Sequence, residues 1–293
     1  MSIFLDIPDE FSNPDTASVC IIPVPYDLTS TYQKGSDHGP SAIIEASSQV
    51  EWFDIQTHSE PHQKGIHTQE PIHCDDADPI HLAPMVNARV GEAMDRGQIP
   101  VVLGGEHSVS IGAFEAAASR HESLTIVQID AHADTRECYM GSTHNHACVM
   151  ARAREFAPII QIGIRSMDRS ELDSTDPDRI YYAHSILAAP NDLWMERVIG
   201  QLTSHVYLTI DLDAFDPSII PSTGTPEPGG LDWQTVNRLI QLIARSSHIV
   251  GFDVVELCPN PAHHASDFTA AKLVHRTIAE CLASGDRSQP SEG

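Results

Sequence analysis

The sequence predicts an α/β protein in which helices cover both faces of a mostly parallel sheet. Short, continuously apolar runs recur along the chain, as is typical of strands that are buried on both faces. These runs alternate with stretches of helical periodicity, and strands that alternate with helices form parallel sheets. With 293 residues, 41% of them hydrophobic, the chain is long enough to bury a large core.

Six apolar runs are predicted as strands. They occupy residues 19–23, 101–103, 124–129, 159–162, 206–210 and 249–255. Six stretches are predicted as helices, several of which begin at a capping residue or at a first-turn proline such as Pro40. They occupy residues 40–50, 84–96, 108–120, 192–202, 232–245 and 267–283.

Two segments lack this regular pattern. Residues 56–81 are rich in His, Pro and Asp, and we expect an irregular surface segment whose histidines face solvent. The small, polar stretch from about residue 284 is expected to fray. No repeat or linker interrupts the interior, so residues 1–293 are predicted to form a single domain.

The charge balance favours some partners and disfavours others. With 41 acidic and 17 basic residues, the formal net charge is −24. Nucleic acid and anionic membrane surfaces are therefore poor partners, whereas small cations would be attracted. The chain lacks an apolar run long enough to span a membrane and a basic N-terminal signal. Its six cysteines form no Cys-x-x-Cys pair, so we expect a reduced, cytoplasmic setting.

Acidic residues and histidines follow four of the predicted strands. Strand 101–103 leads into Glu106 and His107, and strand 124–129 leads into the DAHAD segment at 130–134. The other two strands lead into Asp211 and Asp213 and into Glu256. Because ligands of open α/β sheets bind outside the carboxyl ends of the strands, we expect these side chains to share one crevice.

The donor set in this crevice is typical of a metal site. Asp130, His132 and Asp134 have a spacing that directs extended side chains to one side, as do Asp211 and Asp213. Clustered carboxylates are unfavourable unless cations neutralise them, and oxygen ligands with one or two imidazoles suit ions such as Mn²⁺. This many ligands favours two ions, which can share a water and lower its pKa. Each motif alone could be a surface loop or a helix cap, so the prediction depends on their joint occurrence.

At these residues the sequence resembles the ureohydrolase superfamily of arginases and agmatinases. The matching segments occur in the family's order and are GGEHS (104–108), DAHAD (130–134), DLDAFDP (211–217), TGTPEPGG (223–230) and GFDVVE (251–256). Residues 25–43 and 161–166 also resemble agmatinases, so the similarity covers nearly the whole chain. Glu106 stands where many relatives have Asp, and it is expected to support the site without binding metal.

The resemblance implies an arginase-like three-layer α/β/α fold that binds two Mn²⁺ ions and hydrolyses a guanidino group to urea and an amine. One ion would be bound by His107, Asp130, Asp134 and Asp211, and the other by Asp130, His132, Asp211 and Asp213. Nickel or cobalt could replace manganese in such a site.

The resemblance also implies roles for two further residues. Glu256 would hold the substrate guanidinium while a metal-bridging hydroxide attacks its carbon. His146 would deliver the proton that the departing amine needs, with His144 as a competing candidate. These two residues complete the predicted catalytic site.

The predicted substrate is agmatine, whose hydrolysis yields urea and the polyamine putrescine. Its simple ammonium end suits an acidic crevice, and residues 135–145 lack the arginase pattern for an α-amino acid. N1-aminopropylagmatine is the alternative, and guanidino acids such as guanidinobutyrate stay open, with Arg136 as a candidate for binding an acid. The family also implies a homo-oligomer, a trimer or a hexamer.

Two other classes of protein explain the motifs less well. A zinc-dependent deacetylase would need only one Asp/His/Asp site, which leaves His107 and one member of the Asp211/Asp213 pair unexplained. A non-catalytic polyamine-binding relative would be expected to lack a ligand, yet every expected ligand is present. The sequence therefore favours a hydrolase.

Overall fold

Eight parallel strands form one sheet at the centre of the structure, a computed structural model that describes residues 2–75, 78–189 and 191–285. The strands are β1 Val19–Val24, β2 Ile66–Thr68, β3 Ile99–Gly104, β4 Leu124–Ile129, β5 Ile159–Ile164, β6 Ile180–Tyr182, β7 His205–Asp211 and β8 His248–Val255. Their order across the sheet is β2-β1-β3-β8-β7-β4-β5-β6, and each neighbouring pair is parallel. The predicted α/β class is confirmed.

Helices cover the sheet on both faces. They are α1 Gly39–Ser47, α2 Ala83–Asp95, α3 Ser110–Ala118, α4 Val149–Phe156, α5 Ala183–Ala188, α6 Leu193–Gly200, α7 Trp233–Ser246 and α8 Ala265–Gly285. Helices α2, α3 and α4 pack side by side on one face, whereas α1, α8, α7 and α6 pack in that order on the other. The result is the predicted three-layer α/β/α fold.

Alternation along the strands explains why both faces are apolar. In β3, Val101 and Leu103 belong to the core beneath α1, α7 and α8, whereas Val102 belongs to the core beneath α2 and α3. All three side chains are fully buried. Because successive strand residues point to opposite faces, a strand between two helical layers must be apolar throughout.

The six predicted strands and six predicted helices all occur, with ends displaced by a few residues. Helices α4 and α5 and the two edge strands, β2 and β6, were not predicted from the sequence. Each edge strand has only three residues, which is too short for a periodic pattern to emerge.

The expectation for residues 56–81 was partly wrong. This segment contains β2, and the side chain of His62 is buried against Trp52 and Phe11 instead of facing solvent. His58, His73 and His81 are exposed as expected, while residues 76 and 77 lie outside the described part of the chain. At the other end, α8 continues to Gly285, and the rest of the predicted frayed tail, residues 286–293, also lies outside it.

The strand order explains where a site can form. Strands β3, β8, β7 and β4 are neighbours at the centre of the sheet, although β4 directly follows β3 in the chain. All four run in the same direction, so their carboxyl ends meet at one edge. These are the four strands that the acidic motifs follow. Among the described residues, no helix has the length and apolar character that a membrane crossing requires.

Candidate metal centre

The structure brings all six predicted metal ligands into one cluster at the carboxyl edge of the sheet. Two groups of side chains lie close enough to hold an ion, and Asp130 belongs to both. His107 and Asp211 complete the first group, and His132 and Asp213 complete the second. A carboxylate shared between two groups is the arrangement that two neighbouring metal ions require.

His107 lies at the closed end of the cluster and is fully buried. Its Nδ1 is 3.1 Å from Asp130 Oδ2, 3.1 Å from Asp134 Oδ2 and 3.6 Å from Asp211 Oδ2. On the other side of the ring, Nε2 lies 2.8 Å from the Thr209 hydroxyl, which itself donates to Asp253 at 2.7 Å. Because the hydroxyl proton goes to Asp253, Thr209 accepts from Nε2–H, and the Nδ1 lone pair faces the carboxylates.

His132 and Asp213 form the more open side of the cluster. His132 Nδ1 is 2.9 Å from Asp213 Oδ2 and 3.8 Å from Asp130 Oδ1. Backbone groups hold the carboxylates in place. Asp213 Oδ1 accepts from the Ala131 amide at 3.1 Å, and Asp211 Oδ1 accepts from the Asp213 amide at 2.8 Å.

A pair of metal ions fits this donor set. The buried His107 Nδ1 has no hydrogen-bond donor or acceptor partner within the described residues, although it faces carboxylates. An imidazole lone pair that faces carboxylate oxygens at about hydrogen-bond distance is repulsive unless a proton or a metal ion lies between them. Burial alone would lower the pKa of His107, but Asp130 and Asp134 outweigh it and raise the pKa well above its usual value, so the position attracts positive charge. The site therefore has the oxygen and nitrogen donors of a hard or borderline divalent ion.

The pKa values indicate the same unneutralised negative charge. Burial and the nearby Asp213 carboxylate raise the pKa of Asp130 to about 6, and the same two causes raise the pKa of Asp211 well above its usual range. Burial alone would lower the pKa of His132, but Asp213 outweighs it and the value rises to about 10. A bound cation would relieve this crowding, because it stabilises the charged carboxylates.

Buried glutamines on the adjoining strands fix the Asp130 carboxylate. Gln128 Nε2 donates to Asp130 Oδ2 at 2.7 Å and to the His132 carbonyl at 3.1 Å. Gln161 Nε2 donates to Gln128 Oε1 at 2.7 Å, so the two amides form a chain. Neither glutamine was predicted, although a polar residue inside an otherwise apolar strand is a signal that the sequence does contain. Both side chains are buried in the structure.

The metal cluster lies at the floor of a cavity of about 320 Å³, which Glu256 and His146 also line. Glu256 follows β8 with a backbone φ of 66°, and its Oε1 accepts from the His107 amide at 2.7 Å. His146 is half-buried and lies 3.0 Å, through Nδ1, from the Thr29 hydroxyl. The competing candidate His144 bonds the Thr143 hydroxyl and is not part of the described lining.

One part of the cavity lining, which we call the outer wall, consists of Arg136, Tyr139, Asp168 and Glu171. Its arginine already has aromatic and carboxylate partners. The Arg136 guanidinium lies 4.6 Å from the centre of the Tyr139 ring. Its Nε is 3.6 Å from Glu171 Oε2, and its Nη2 is 4.0 Å from Asp168 Oδ2. The outer wall therefore has a formal charge of one negative unit, since two carboxylates surround one guanidinium.

Asp216 and Glu227 both follow β7, and their surroundings differ. Asp216 Oδ2 accepts from the Gly229 and Gly230 amides, and its other oxygen accepts from Ser218. It therefore closes the 216–230 loop, part of which lines the cavity at Gly224 and Thr225. The Glu227 carboxylate is 4.0 Å from His132 Nε2.

Comparison with known proteins gives consistent matches. The family model described as the arginase family matches residues 17–279. An N(1)-aminopropylagmatine ureohydrolase from Synechocystis is 36% identical over 272 residues, which cover 89% of this chain and 88% of that protein. An agmatinase from Pyrococcus horikoshii is 30% identical over 267 residues, covering 89% of this chain and 91% of the relative.

A solved structure agrees with these sequence matches. The agmatine ureohydrolase of Thermoplasma volcanium superposes with a TM-score of 0.86 at 32% identity, covering 95% of this chain and 94% of that one. The fold, the family model and the sequence relatives all span nearly the same residues. The chain belongs to the arginase family and is a ureohydrolase, an enzyme that hydrolyses guanidino groups.

Proposed function

We propose that the chain hydrolyses N1-aminopropylagmatine, with one water, to urea and spermidine. The observation that carries this choice is the 36% identity to an enzyme named for that substrate, against 30% for one named agmatinase. Agmatine, the substrate predicted from the sequence, is the second candidate, because the similar structure from Thermoplasma volcanium is an agmatine ureohydrolase. Both substrates carry a guanidinium at one end and an ammonium at the other.

Members of the arginase family depend on two metal ions, and the donor set described above fits such a pair. In our proposal His107, Asp134, Asp130 and Asp211 hold one ion, and His132, Asp213, Asp130 and Asp211 hold the other. The chemistry that the pair supplies when bound is a lowered pKa of water, which makes hydroxide available near neutral pH. We propose Mn²⁺ as the native metal, since the ligands are mainly carboxylates.

Glu256 is proposed to bind the substrate guanidinium. Its carboxylate lines the cavity beside Asp211 and can accept paired hydrogen bonds from a planar guanidinium. Burial and the neighbouring Glu106 raise the pKa of Glu256 above its usual range. A guanidinium would reverse that shift, because the opposite charge favours the ionised carboxyl. Binding would thus fix the orientation of the guanidino carbon above the cluster.

His146 is proposed to supply the proton to the departing amine. The breaking carbon–nitrogen bond releases an amine, which leaves far more readily once it is protonated. Burial lowers the pKa of His146 below its usual value, so at neutral pH the imidazole is mostly neutral and must first take up a proton from solvent. The imidazolium that forms is a stronger acid than usual and gives this proton to the amine nitrogen. The position of His146 in the lining of the cavity supports this role, because a substrate bound there would pass close to the ring.

The outer wall favours a polyamine tail over an acid tail. The carboxylates of Asp168 and Glu171 flank Arg136, so an incoming carboxylate would have to displace one of them. An ammonium could bind there without displacing a partner. Asp168 is exposed, and its Oδ2 is 4.0 Å from Arg136 Nη2, so the oxygen can accept a further hydrogen bond. This charge pattern supports a substrate with cationic groups beyond the guanidinium.

A urea assay tests the proposal. The Mn²⁺-loaded protein is incubated with N1-aminopropylagmatine, agmatine, arginine, guanidinobutyrate and guanidine, and urea is measured over time. We expect kcat/KM for N1-aminopropylagmatine to exceed that for agmatine by about tenfold. A preference for agmatine would restore the sequence-based choice. Urea from guanidinobutyrate alone would overturn the interpretation of the outer wall.

A further inference from the structure

We propose that Glu106 is a positioning residue that acts through the Thr29 hydroxyl to hold His146 with Nδ1 protonated and Nε2 free to exchange the proton. This inference rests on the proposed role of His146. The three residues come from distant parts of the chain: the segment after β1, the segment after β3, and the loop before α4. Their contacts form one continuous line from a buried carboxylate to the cavity.

The Glu106 carboxylate is fully buried and receives four hydrogen bonds. Oε1 accepts from the Thr29 hydroxyl at 2.6 Å and from the Ser108 hydroxyl at 2.5 Å. Oε2 accepts from the backbone amides of Thr29 at 2.6 Å and Ser30 at 3.1 Å. Burial raises the pKa of Glu106, while the hydrogen bonds from Ser108 and Thr29 oppose that rise. In all four contacts a carboxylate oxygen is the acceptor, so each neighbouring hydroxyl or amide is the donor.

This arrangement decides the direction of the next hydrogen bond. A threonine hydroxyl has one proton, and that of Thr29 points to Glu106. The Thr29 oxygen can therefore only accept from His146, whose Nδ1 lies 3.0 Å away and whose backbone amide lies 3.3 Å away. In its neutral form, the His146 ring must therefore carry its single N–H proton on Nδ1. Nε2, on the opposite side of the ring, then has the lone pair that binds and releases the transferred proton.

Backbone hydrogen bonds between the segments after β1 and β3 hold Thr29 and Glu106 next to each other. The Gly105 amide donates to the Val24 carbonyl at 2.9 Å, and the Glu106 amide donates to the Tyr26 carbonyl at 2.8 Å. A Cβ on Gly105 would lie 2.1 Å from the Tyr26 carbonyl oxygen, so only glycine allows this approach. The segment that carries Thr29 is thus held against Glu106 independently of the threonine hydroxyl.

That independence provides a matched pair of variants. Thr29→Val removes the hydroxyl while keeping the size of the side chain and both backbone bonds to Glu106. Thr29→Ser keeps the hydroxyl and removes only a methyl group. A role of Thr29 in packing alone would make serine the more harmful change, whereas positioning through the hydroxyl makes valine the more harmful one.

The first measurement is the tautomer of His146 in metal-free, ¹⁵N-histidine-labelled protein by NMR. The chain has 17 histidines, so the His146 signals are assigned by their loss in His146→Gln. We expect the Nδ1–H form in the wild type and in Thr29→Ser, and a shift towards the Nε2–H form in Thr29→Val. An unchanged tautomer in Thr29→Val would overturn the proposal.

The second measurement is steady-state urea release, with the metal content checked to be equal in all variants. We expect Thr29→Val to lower kcat by about 10- to 100-fold with KM nearly unchanged, and Thr29→Ser to recover most of kcat. Equal losses in both variants, or a change in KM alone, would contradict positioning of His146.

The two readouts separate this inference from the proposed function. If the tautomer shifts in Thr29→Val but His146→Gln keeps the wild-type kcat, the line of hydrogen bonds exists and His146 is not the proton donor. That result would overturn the proposed mechanism and, with it, the catalytic part of this inference. If the wild type releases no urea from any compound in the panel, the proposed substrate class fails, while the NMR result still decides the positioning of His146.

Discussion

At the scale of single residues, two histidines of the site are held in the same way. His107 contacts Thr209, which donates to Asp253, and His146 contacts Thr29, which donates to Glu106. In each case the hydroxyl donates its hydrogen bond to a buried carboxylate, so the hydroxyl oxygen accepts from one ring nitrogen and leaves the other nitrogen as a base. A hydrogen bond to the far nitrogen is the usual device by which proteins fix the tautomer of a working histidine.

The division of the cluster into two groups predicts the metal content of a single variant. His132→Asn removes a nitrogen ligand from the open group while His107, Asp134 and Asp211 stay in place. We expect bound metal to fall from about two ions per chain to about one, and urea release to fall by at least about 100-fold. Metal analysis by mass spectrometry after gel filtration measures this. His144→Asn, outside the cluster, is the control and should keep both ions; loss of both ions from His132→Asn would contradict two separable groups.

Asp168 should distinguish the longer substrate from the shorter one. Its Oδ1 caps the following 3-10 helix through Ser170, and an asparagine can keep that bond while losing the charge. We expect Asp168→Asn to lower kcat/KM for N1-aminopropylagmatine by about 3- to 5-fold, mainly through KM, and that for agmatine by less than about 2-fold. Asp173→Asn, an exposed acid on the same short helix, is the matched control. Equal losses for both substrates would remove Asp168 from tail recognition.

The residues that the sequence predicted differ in kind from those that it missed. Asp130, His132 and Asp213 follow apolar strands in short motifs, so their meeting at one edge follows from the parallel sheet. Thr29 lies in a loop without periodicity, and its partner Glu106 is 77 residues away. Only the packing of the β1 and β3 segments brings them together. Contacts of that kind depend on tertiary structure and leave no local pattern in the sequence.

At the scale of elements, the insertion of β7 and β8 between β3 and β4 creates the site. Each of the four central strands was predicted from a continuous apolar run. Their order across the sheet was not predicted, because apolar runs of similar composition do not indicate which strands are neighbours. The edge strands β2 and β6 pair on one side only, and three residues suffice for that. The sequence therefore predicts the inner part of the sheet better than its margins.

Helix α8 carries a buried histidine that should make stability depend on pH. His275 Nε2 lies 3.1 Å from the Trp52 carbonyl, and Nδ1 lies 3.4 Å from Lys272 Nζ. Burial first, and then the Lys272 charge, lower the pKa of His275 to about 4. Between about pH 6.5 and pH 4 this histidine binds a proton in the unfolded chain but not in the folded chain. The free energy of unfolding therefore falls as the pH is lowered through this window.

The expected loss from His275 is about 2 to 3 kcal/mol between pH 7.5 and pH 4.5. Urea unfolding of metal-free protein at these two pH values measures it, and His275→Gln isolates it, because glutamine does not titrate. The wild type should lose about 2 to 3 kcal/mol more than the variant over this interval. Equal losses would mean that His275 takes up its proton equally in the folded and unfolded chains.

At the scale of the whole molecule, the protein has a formal net charge of −24. Two of its carboxylates, Asp168 and Glu171, lie in the outer wall of the cavity. Negative potential at the mouth of a cleft raises the local concentration of cations and the rate at which they enter. The effect grows with the charge of the ligand and is screened by salt, since the Debye length is about 10 Å at 0.1 M. Net charge does not determine the fold, but it does act on the encounter with substrate.

Salt should therefore affect the two candidate substrates unequally. At neutral pH N1-aminopropylagmatine has one more positive charge than agmatine, so raising the ionic strength from about 20 to about 500 mM should lower its kcat/KM more steeply. The kcat at saturating substrate should stay nearly constant, because encounter no longer limits the rate, and it is the internal control. Parallel slopes for the two substrates would place the discrimination entirely in short-range contacts. A steeper slope for the triply charged amine would show that the acidic surface contributes to the preference before the substrate reaches Glu256.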